Sequence, residues 1–328
     1  MRYVIFRDDD TNALTPVACL ERLYRPFLDR GWQVNLATIP NVSTSARMLD
    51  GKPEGFLRAA PANLNPTPTP FELVGQASGG KAGARTPSCM RFSGNGSADG
   101  GVRAHAVTGD LAESGQTPCS ATGTCPIGSN PKLVRYLLEN AGYRIVQHGC
   151  RHDCLEFDVP DRKALAGRLD EGTQHLREAG FPQPQTFVAP YDKLSRAGVI
   201  EVARRFSVLS TGWFELGRLP YAWWPRYALK KLRGTPHWRV GGTLLLSHPG
   251  CLLSYQRAYS TMLGGIIHHL ASQRLTVLVT HWWEYFRDGQ PDETFIEFLH
   301  ETAAYIAGHP EIKVVSFEDL VGGKIPLN

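Results

Sequence analysis

A chain of 328 residues with 42% hydrophobic and 10% aromatic side chains can bury one large α/β core or two small ones. Its formal net charge of +4 is small for this length, and the pattern shows no basic stripe with interleaved aromatics, which argues against a nucleic-acid partner. No apolar run is long enough for a transmembrane segment and no basic-then-apolar leader opens the sequence. With seven cysteines, an odd number, the expectation is a reducing compartment, the bacterial-type cytoplasm, and mostly free thiols.

Met1 to Asp10 reads as a first strand, Tyr3-Val4-Ile5-Phe6 running into Arg7-Asp8-Asp9-Asp10. Three adjacent carboxylates repel one another unless a cation or solvent compensates. Thr15 then suits an N-cap and Pro16 the first helical position. Val17, Leu20, Leu23, Tyr24 and Phe27 recur at helical spacing until Gly31. Trp32 to Ile39 is a second strand, closed by Pro40. A β-α-β start predicts a parallel sheet with right-handed crossovers.

From about Asn41 to Asn130 the pattern breaks into Gly, Ala, Ser, Thr and Pro with few large apolar residues. So long a structureless stretch is improbable inside a compact domain. Two readings stay open: a disordered surface insertion in a single domain spanning 1–328, or the product of a shifted reading frame in a GC-rich gene. Under either, Cys89, Cys119, Cys125 and His105 are expected to carry no chemistry, with a metal or disulfide pair of Cys119 and Cys125 as the minor alternative.

Order resumes at Asn130-Pro131 with a helix to about Gly142. A third strand, Tyr143 to Val146, delivers Gln147-His148-Gly149-Cys150-Arg151-His152-Asp153-Cys154. Two imidazoles and two thiols in seven residues are ligands for borderline-soft transition metals. His-x-x-x-His shares one face on a helix, or converges at a strand end through the tight turn that Gly149 permits. Helices are then expected over Pro160–Glu178, Ser195–Arg205, Met262–Leu270 and Phe295–Ile306. Strands are expected at Thr186–Tyr191, Phe206–Thr211, Thr243–His248, Leu275–His281 and Ile312–Ser316.

Five of these eight strands end in groups fit for metal or acid–base work: the aspartates, His148, Pro190-Tyr191, His248 and His281. In sheet and barrel plans the site lies at that face. One carboxylate and two imidazoles leave open positions on a metal. A second carboxylate can take a proton from water, and a histidine opposite can protonate a leaving amine. The inventory suits hydrolysis of an amide or ester. The plainer alternative is a solvated loop, a histidine-rich turn and hydrogen-bonded buried histidines.

The order of an acidic pair after strand one, His-x-x-x-His after strand three, Pro-Tyr after strand four and a late Leu-x-x-His resembles the NodB-homology polysaccharide deacetylases. Val4 to Asp10, Val34 to Pro40, Ile145 to His152 and Val279-Thr280-His281 are similar to its leaderless bacterial branch. The resemblance implies a distorted (β/α) barrel of about seven to eight mostly parallel strands. It also implies a divalent metal, commonly zinc, and removal of acetyl from an N-acetylated sugar. Carried over residue by residue, it makes Asp9 the base, Asp10, His148 and His152 the metal ligands, and Tyr191 the donor of a backbone amide to the oxyanion. Asp8 as base with Asp9 as ligand is the alternative register. His281 matches the late catalytic histidine, with His248 as competitor.

The family's arginine before Pro-Tyr is absent, since Val188-Ala189 stands there, and Arg7 is a possible replacement. Cys150 and Cys154 could instead complete a structural zinc site with the two histidines. Trp213, Tyr221, Trp223, Trp224 and Tyr227, followed by Lys230, Lys231 and Arg233, suit a lipid-linked glycan, a peripheral membrane contact or a loop packed on the barrel. Trp282-Trp283 could line the cleft. The function expected is hydrolytic deacetylation of a carbohydrate or lipid-linked glycan precursor. The alternatives are hydrolysis of a non-sugar amide and a catalytically inactive barrel that binds glycan or protein.

Overall fold

The computed structural model describes residues 1–59, 123–287 and 289–325, which belong to one compact unit. The low-complexity stretch from 60 to 122, with Cys89, His105 and Cys119, lies outside the described residues. Nine strands form the main sheet. β1 (Arg2–Thr11), followed by α1 (Val17–Leu28), pairs in parallel with β2 (Val34–Thr38). A short β3 (Asn41–Ser43) follows, then α2 (Gly55–Arg58). β4 (Thr124–Pro126) pairs antiparallel with β3. The described parts of the stretch expected to lack structure, 41–59 and 123–130, thus contain β3, α2 and β4. Cys125 in β4 is disulfide-bonded, so the expectation that it carries no chemistry does not hold.

α3 (Pro131–Glu139) starts as its sequence implies, with Asn130 Oδ1 accepting from the Leu133 N–H. Then come β5 (Tyr143–His148), α4 (Arg162–Glu178), β6 (Thr186–Val188), α5 (Arg196–Arg205) and β7 (Val208–Thr211). α6 (Trp224–Leu232) leads to β8 (Trp238–Val240), which forms a hairpin with β9 (Thr243–Ser247). α7 (Tyr259–Ser272) precedes β10 (Leu275–His281). A two-residue pair, β11 (Phe286–Arg287) and β12 (Gln290–Pro291), leads to α8 (Glu293–Ala307), β13 (Ile312–Val314) and α9 (Phe317–Val321). The strand order is β10-β1-β2-β5-β6-β7-β9-β8, with β13 also on β1, and every pairing in it is parallel except β8–β9. This is a distorted, parallel-dominated (β/α) barrel. One expected cap fails: Thr15 does not cap α1, because its hydroxyl accepts from the Asn12 N–H and Pro16 takes the cap position.

Strand periodicity sorts the side chains. Ile5, Val146, Val208, Leu244, Leu246, Val277 and Val279 form one buried cluster, sealed by Phe317, Leu320 and Ile325. These are alternate positions on five strands, as expected for an inward face. A second cluster, with Leu165, Leu169, Val199, Val202, Phe187 and Leu209, packs α4 and α5 on the outer face. Each such side chain contributes roughly 1.5–3 kcal/mol by burial. Two residues further along the inward rows, toward the carboxyl ends, the apolar residues give way to Arg7 and Asp9, His148, Ser210, His248 and His281.

Candidate active site

The inward row of β1 is Ile5, Arg7, Asp9. Asp10 should face outward, but the register with β2 shifts between Asp9 and Thr11, and Asp10 adopts φ 71°. A bulge of this kind re-aims one side chain, and it places two adjacent carboxylates on the same cavity. Asp8 keeps the regular alternation and points elsewhere: its Oδ1 accepts from the Trp282 backbone N–H at 2.7 Å. Burial pushes its carboxyl well above the ordinary range. The structure therefore does not place Asp8 on the cavity with the other candidates.

His148 ends β5. Its Nδ1 lies 3.2 Å from the Val188 carbonyl, which fixes that nitrogen as the N–H donor and leaves Nε2 free to coordinate. His152 reaches the same point through a turn rather than a helix. Glu156 holds that turn, accepting from the backbone N–H groups of Cys150, Arg151 and His152 at 3.1 Å each. His148 Nε2 and His152 Nε2 each lie 3.2 Å from Asp10 Oδ1. The second oxygen of Asp10 accepts from Trp283 Nε1 at 2.8 Å. Oδ1 itself is buried without a hydrogen-bond donor among the described residues. Two imidazole nitrogens and one orphaned carboxylate oxygen fit a divalent cation, and the donor set fits zinc. Cys150 is buried, Cys154 is exposed, and neither joins a ligand cluster among the described residues.

Arg7 is almost wholly buried and spans the cavity floor. Its Nε and Nη2 donate to the two oxygens of Asp9 at 2.8 and 2.6 Å, and Nη1 donates to Ser210 Oγ at 3.0 Å. Burial would lower its pKa, but Asp9 and Asp192 outweigh that and raise it. Arg7 thus clamps Asp9 in the bidentate geometry that fixes a carboxylate best.

Two histidines face the cavity from the far side. His281 Nδ1 lies 3.2 Å from Glu284 Oε1 and 3.8 Å from Cys251 Sγ. Burial alone would lower its pKa; Cys251 and Glu284 reverse that and hold it well above the usual value. His248 Nδ1 accepts from the Gly250 N–H, and its Nε2 lies 3.2 Å from Asp192 Oδ1. Burial would raise Asp192, yet His248, Arg7 and the Gly212 N–H hold it well below the carboxylate range.

Tyr191, expected at a strand exit, sits in a 3₁₀ turn with φ 55°. Its hydroxyl donates to Glu54. Asp10, His152, Tyr191 and Asp192 are four of the five non-glycine residues with positive φ among the described residues, and all line one cavity of about 420 Å³. Left-handed backbone is costly for such residues and collects at functional sites. Trp283 lines the cavity, while Trp282 is fully buried. Glu54, Glu156, Asp192, Cys251 and Glu284 went unread in the sequence, since each is an isolated acid or thiol. Glu54 falls inside the stretch taken as low-complexity, though Pro53-Glu54-Gly55-Phe56 does carry a buried-aromatic signal.

No protein-family model and no curated protein matches the sequence. Solved structures do match. One from Mycobacterium smegmatis, assigned as a polysaccharide deacetylase, has a TM-score of 0.53 at 12% identity, covering 98% of this chain and 89% of its own. A family 4 carbohydrate esterase from Streptomyces lividans has a TM-score of 0.44 at 10% identity, over 95% and 90%. A family 4 acetyl xylan esterase from Clostridium thermocellum has 0.46 at 8%, over 100% and 94%. At such identities the likeness is one of fold, and the first of the three carries it: this chain has the (β/α) barrel of the polysaccharide-deacetylase structures.

Proposed function

We propose that the protein is a divalent-metal-dependent hydrolase that removes acetyl from an N-acetylated sugar or glycan precursor. The observation that carries this reading is the meeting of Asp10, His148 and His152 beside a separately clamped carboxylate, Asp9, in one cavity. A divalent ion held by those three residues supplies Lewis-acid polarisation of the acyl carbonyl and a more acidic water. Asp9, fixed by Arg7, accepts the proton of the attacking water. The backbone N–H of Tyr191 bonds the developing oxyanion. His281, oriented by Glu284, donates a proton to the leaving amine. Asp10 rather than Asp9 is the ligand, because the bulge gives it the free oxygen while both oxygens of Asp9 are occupied by Arg7. A carbohydrate substrate is supported by the shared barrel of the mycobacterial structure and by Trp283, whose ring offers a stacking face.

Acetate release from N-acetylglucosamine oligomers, measured with the metal content of the same preparation, tests this. We expect about one divalent ion per chain and release that a chelator abolishes. Hydrolysis of aryl acetamides but never of sugars would reassign the protein to non-sugar amides. Ion binding with no amide turnover at all would make it a binding barrel.

A further inference from the structure

The small net charge conceals a division of charge along the chain. The 68 residues from Leu216 to Trp283 carry eight Lys/Arg and no Asp or Glu, leaving 27 cations against 31 acids elsewhere. α6 lies in this run and is apolar on its exposed face as well as on its covered one. Trp223, Tyr227 and Lys230, spaced along one helical face, are its partly covered positions. The rings of Trp223 and Tyr227 pack on Trp238 at 6.4 and 5.9 Å. The opposite face presents Pro225, Ala228, Leu229 and Leu232 to solvent, with Leu232 85% and Leu229 44% exposed. Tyr221 and Trp224, also exposed, stand at its start. A helix on a water-facing surface ordinarily turns its polar side outward.

Beside α6 runs a groove of about 530 Å³ lined by Arg226, Lys230, Arg233, His237 and Arg239. Arg226 and Arg239 reach only backbone carbonyls, and no carboxylate pairs with any of the four Lys/Arg among the described residues. Burial, and then the neighbouring Lys231, pull the Lys230 ammonium below its ordinary pKa, as expected of a cation crowded by cations.

We propose that this face docks on an anionic phospholipid bilayer. The groove takes phosphate headgroups, while Leu229, Leu232 and Trp224 enter the acyl boundary. An exposed apolar stripe flanked by Lys and Arg is the pattern of a helix lying in the membrane interface. Aliphatic side chains at the tip favour lipid over nucleic acid, whose bases are bound by aromatic stacking platforms. The inference stands apart from the proposed chemistry, since none of its residues touches the Asp10–His148–His152 group.

Sedimentation of the full chain with vesicles tests it directly. Binding should appear with phosphatidylcholine containing about 30% phosphatidylglycerol and be at least ten-fold weaker with phosphatidylcholine alone. Lys230→Gln with Arg233→Gln should weaken it roughly 30-fold, about five-fold per cation. Leu229→Gln with Leu232→Gln should weaken it about ten-fold or more by removing the inserted side chains. Thermal melts should change little in both variants, because Leu229, Leu232 and Arg233 are exposed and Lys230 is only partly covered. Absence of binding to the anionic vesicles overturns the proposal. So does binding indifferent to the leucine pair and fully competed by duplex DNA, which would make the face a general polyanion site.

Discussion

Asp9 and Asp10 are neighbours in sequence with opposite surroundings, and their roles should separate in experiment. Asp9 has both oxygens on Arg7, so Asp9→Asn should keep the ion but lower turnover by on the order of 10²–10⁴, the usual range for a general base. Asp10→Asn should instead release the ion, seen by metal analysis after dialysis. Equal metal loss in both variants would mean that the two carboxylates share the ion. The acid is assigned in the same way. Burial would lower the His281 pKa, but Cys251 and Glu284 outweigh that and hold it above its ordinary value. As an acid it must be protonated, so activity should fall as pH rises through its raised pKa, on the alkaline side of 6.5. His281→Ala should remove that alkaline limb, while His248→Ala, whose two nitrogens are held by Gly250 and Asp192, should leave it in place. The reverse result would exchange their roles.

At the scale of elements, all eight expected strands are present, because each carries a short apolar or alternating stretch between turn residues. Legibility failed where side chains rather than pattern decide the structure. The bulge at Asp10 leaves no trace in composition, so three aspartates could not be told apart. The hairpin of β3 and β4 joins residues 41–43 to 124–126 across a gap that periodicity cannot bridge. The His-x-x-x-His segment was legible as a ligand pair, but helix and strand-end turn both stayed open, because Glu156, which holds the turn, reads as an ordinary acid. Gly149 is what that turn requires. Its φ is 65°, and a Cβ there would lie 2.7 Å from both Glu156 Oε2 and Pro190 Cγ. Gly149→Ala should therefore cost roughly 2–4 kcal/mol, from left-handed strain plus overlap, and weaken the ion. Gly180→Ala is the control: its φ is 92°, but a Cβ there meets only Leu138 at 3.6 Å. That variant should cost about 1 kcal/mol and leave the ion alone. Equal urea midpoints for the two would show that the turn tolerates a side chain.

For the whole molecule, the sheet runs from β10 to β8, and among the described residues no backbone pairing joins its two ends. Side chains cross that seam. Cys251 Sγ, after β9, donates to the Val279 carbonyl of β10 at 3.3 Å. His237, just before β8, lies with Nε2 3.0 Å from the Leu275 carbonyl at the start of β10. That contact makes Nε2 the N–H donor and leaves Nδ1 to take any added proton. Nδ1 is buried with no partner among the described residues, so charging the ring is penalised. Burial outweighs the Leu275 contact and pulls the pKa down to about 4. A folded-state pKa below the unfolded one means that the unfolded chain binds the proton first. The stability from neutral His237 is thus fully present above about 6.5, the unfolded value, and is lost as pH falls toward 4. The loss is at most roughly 3 kcal/mol, and less in so far as the ring meets solvent. His237→Gln keeps a donor for Leu275 but cannot titrate. Urea unfolding of both proteins between neutral pH and pH 4.5 should show the wild type losing its advantage over the variant as acid is added. Parallel stability curves would mean that the seam is not closed by a neutral histidine.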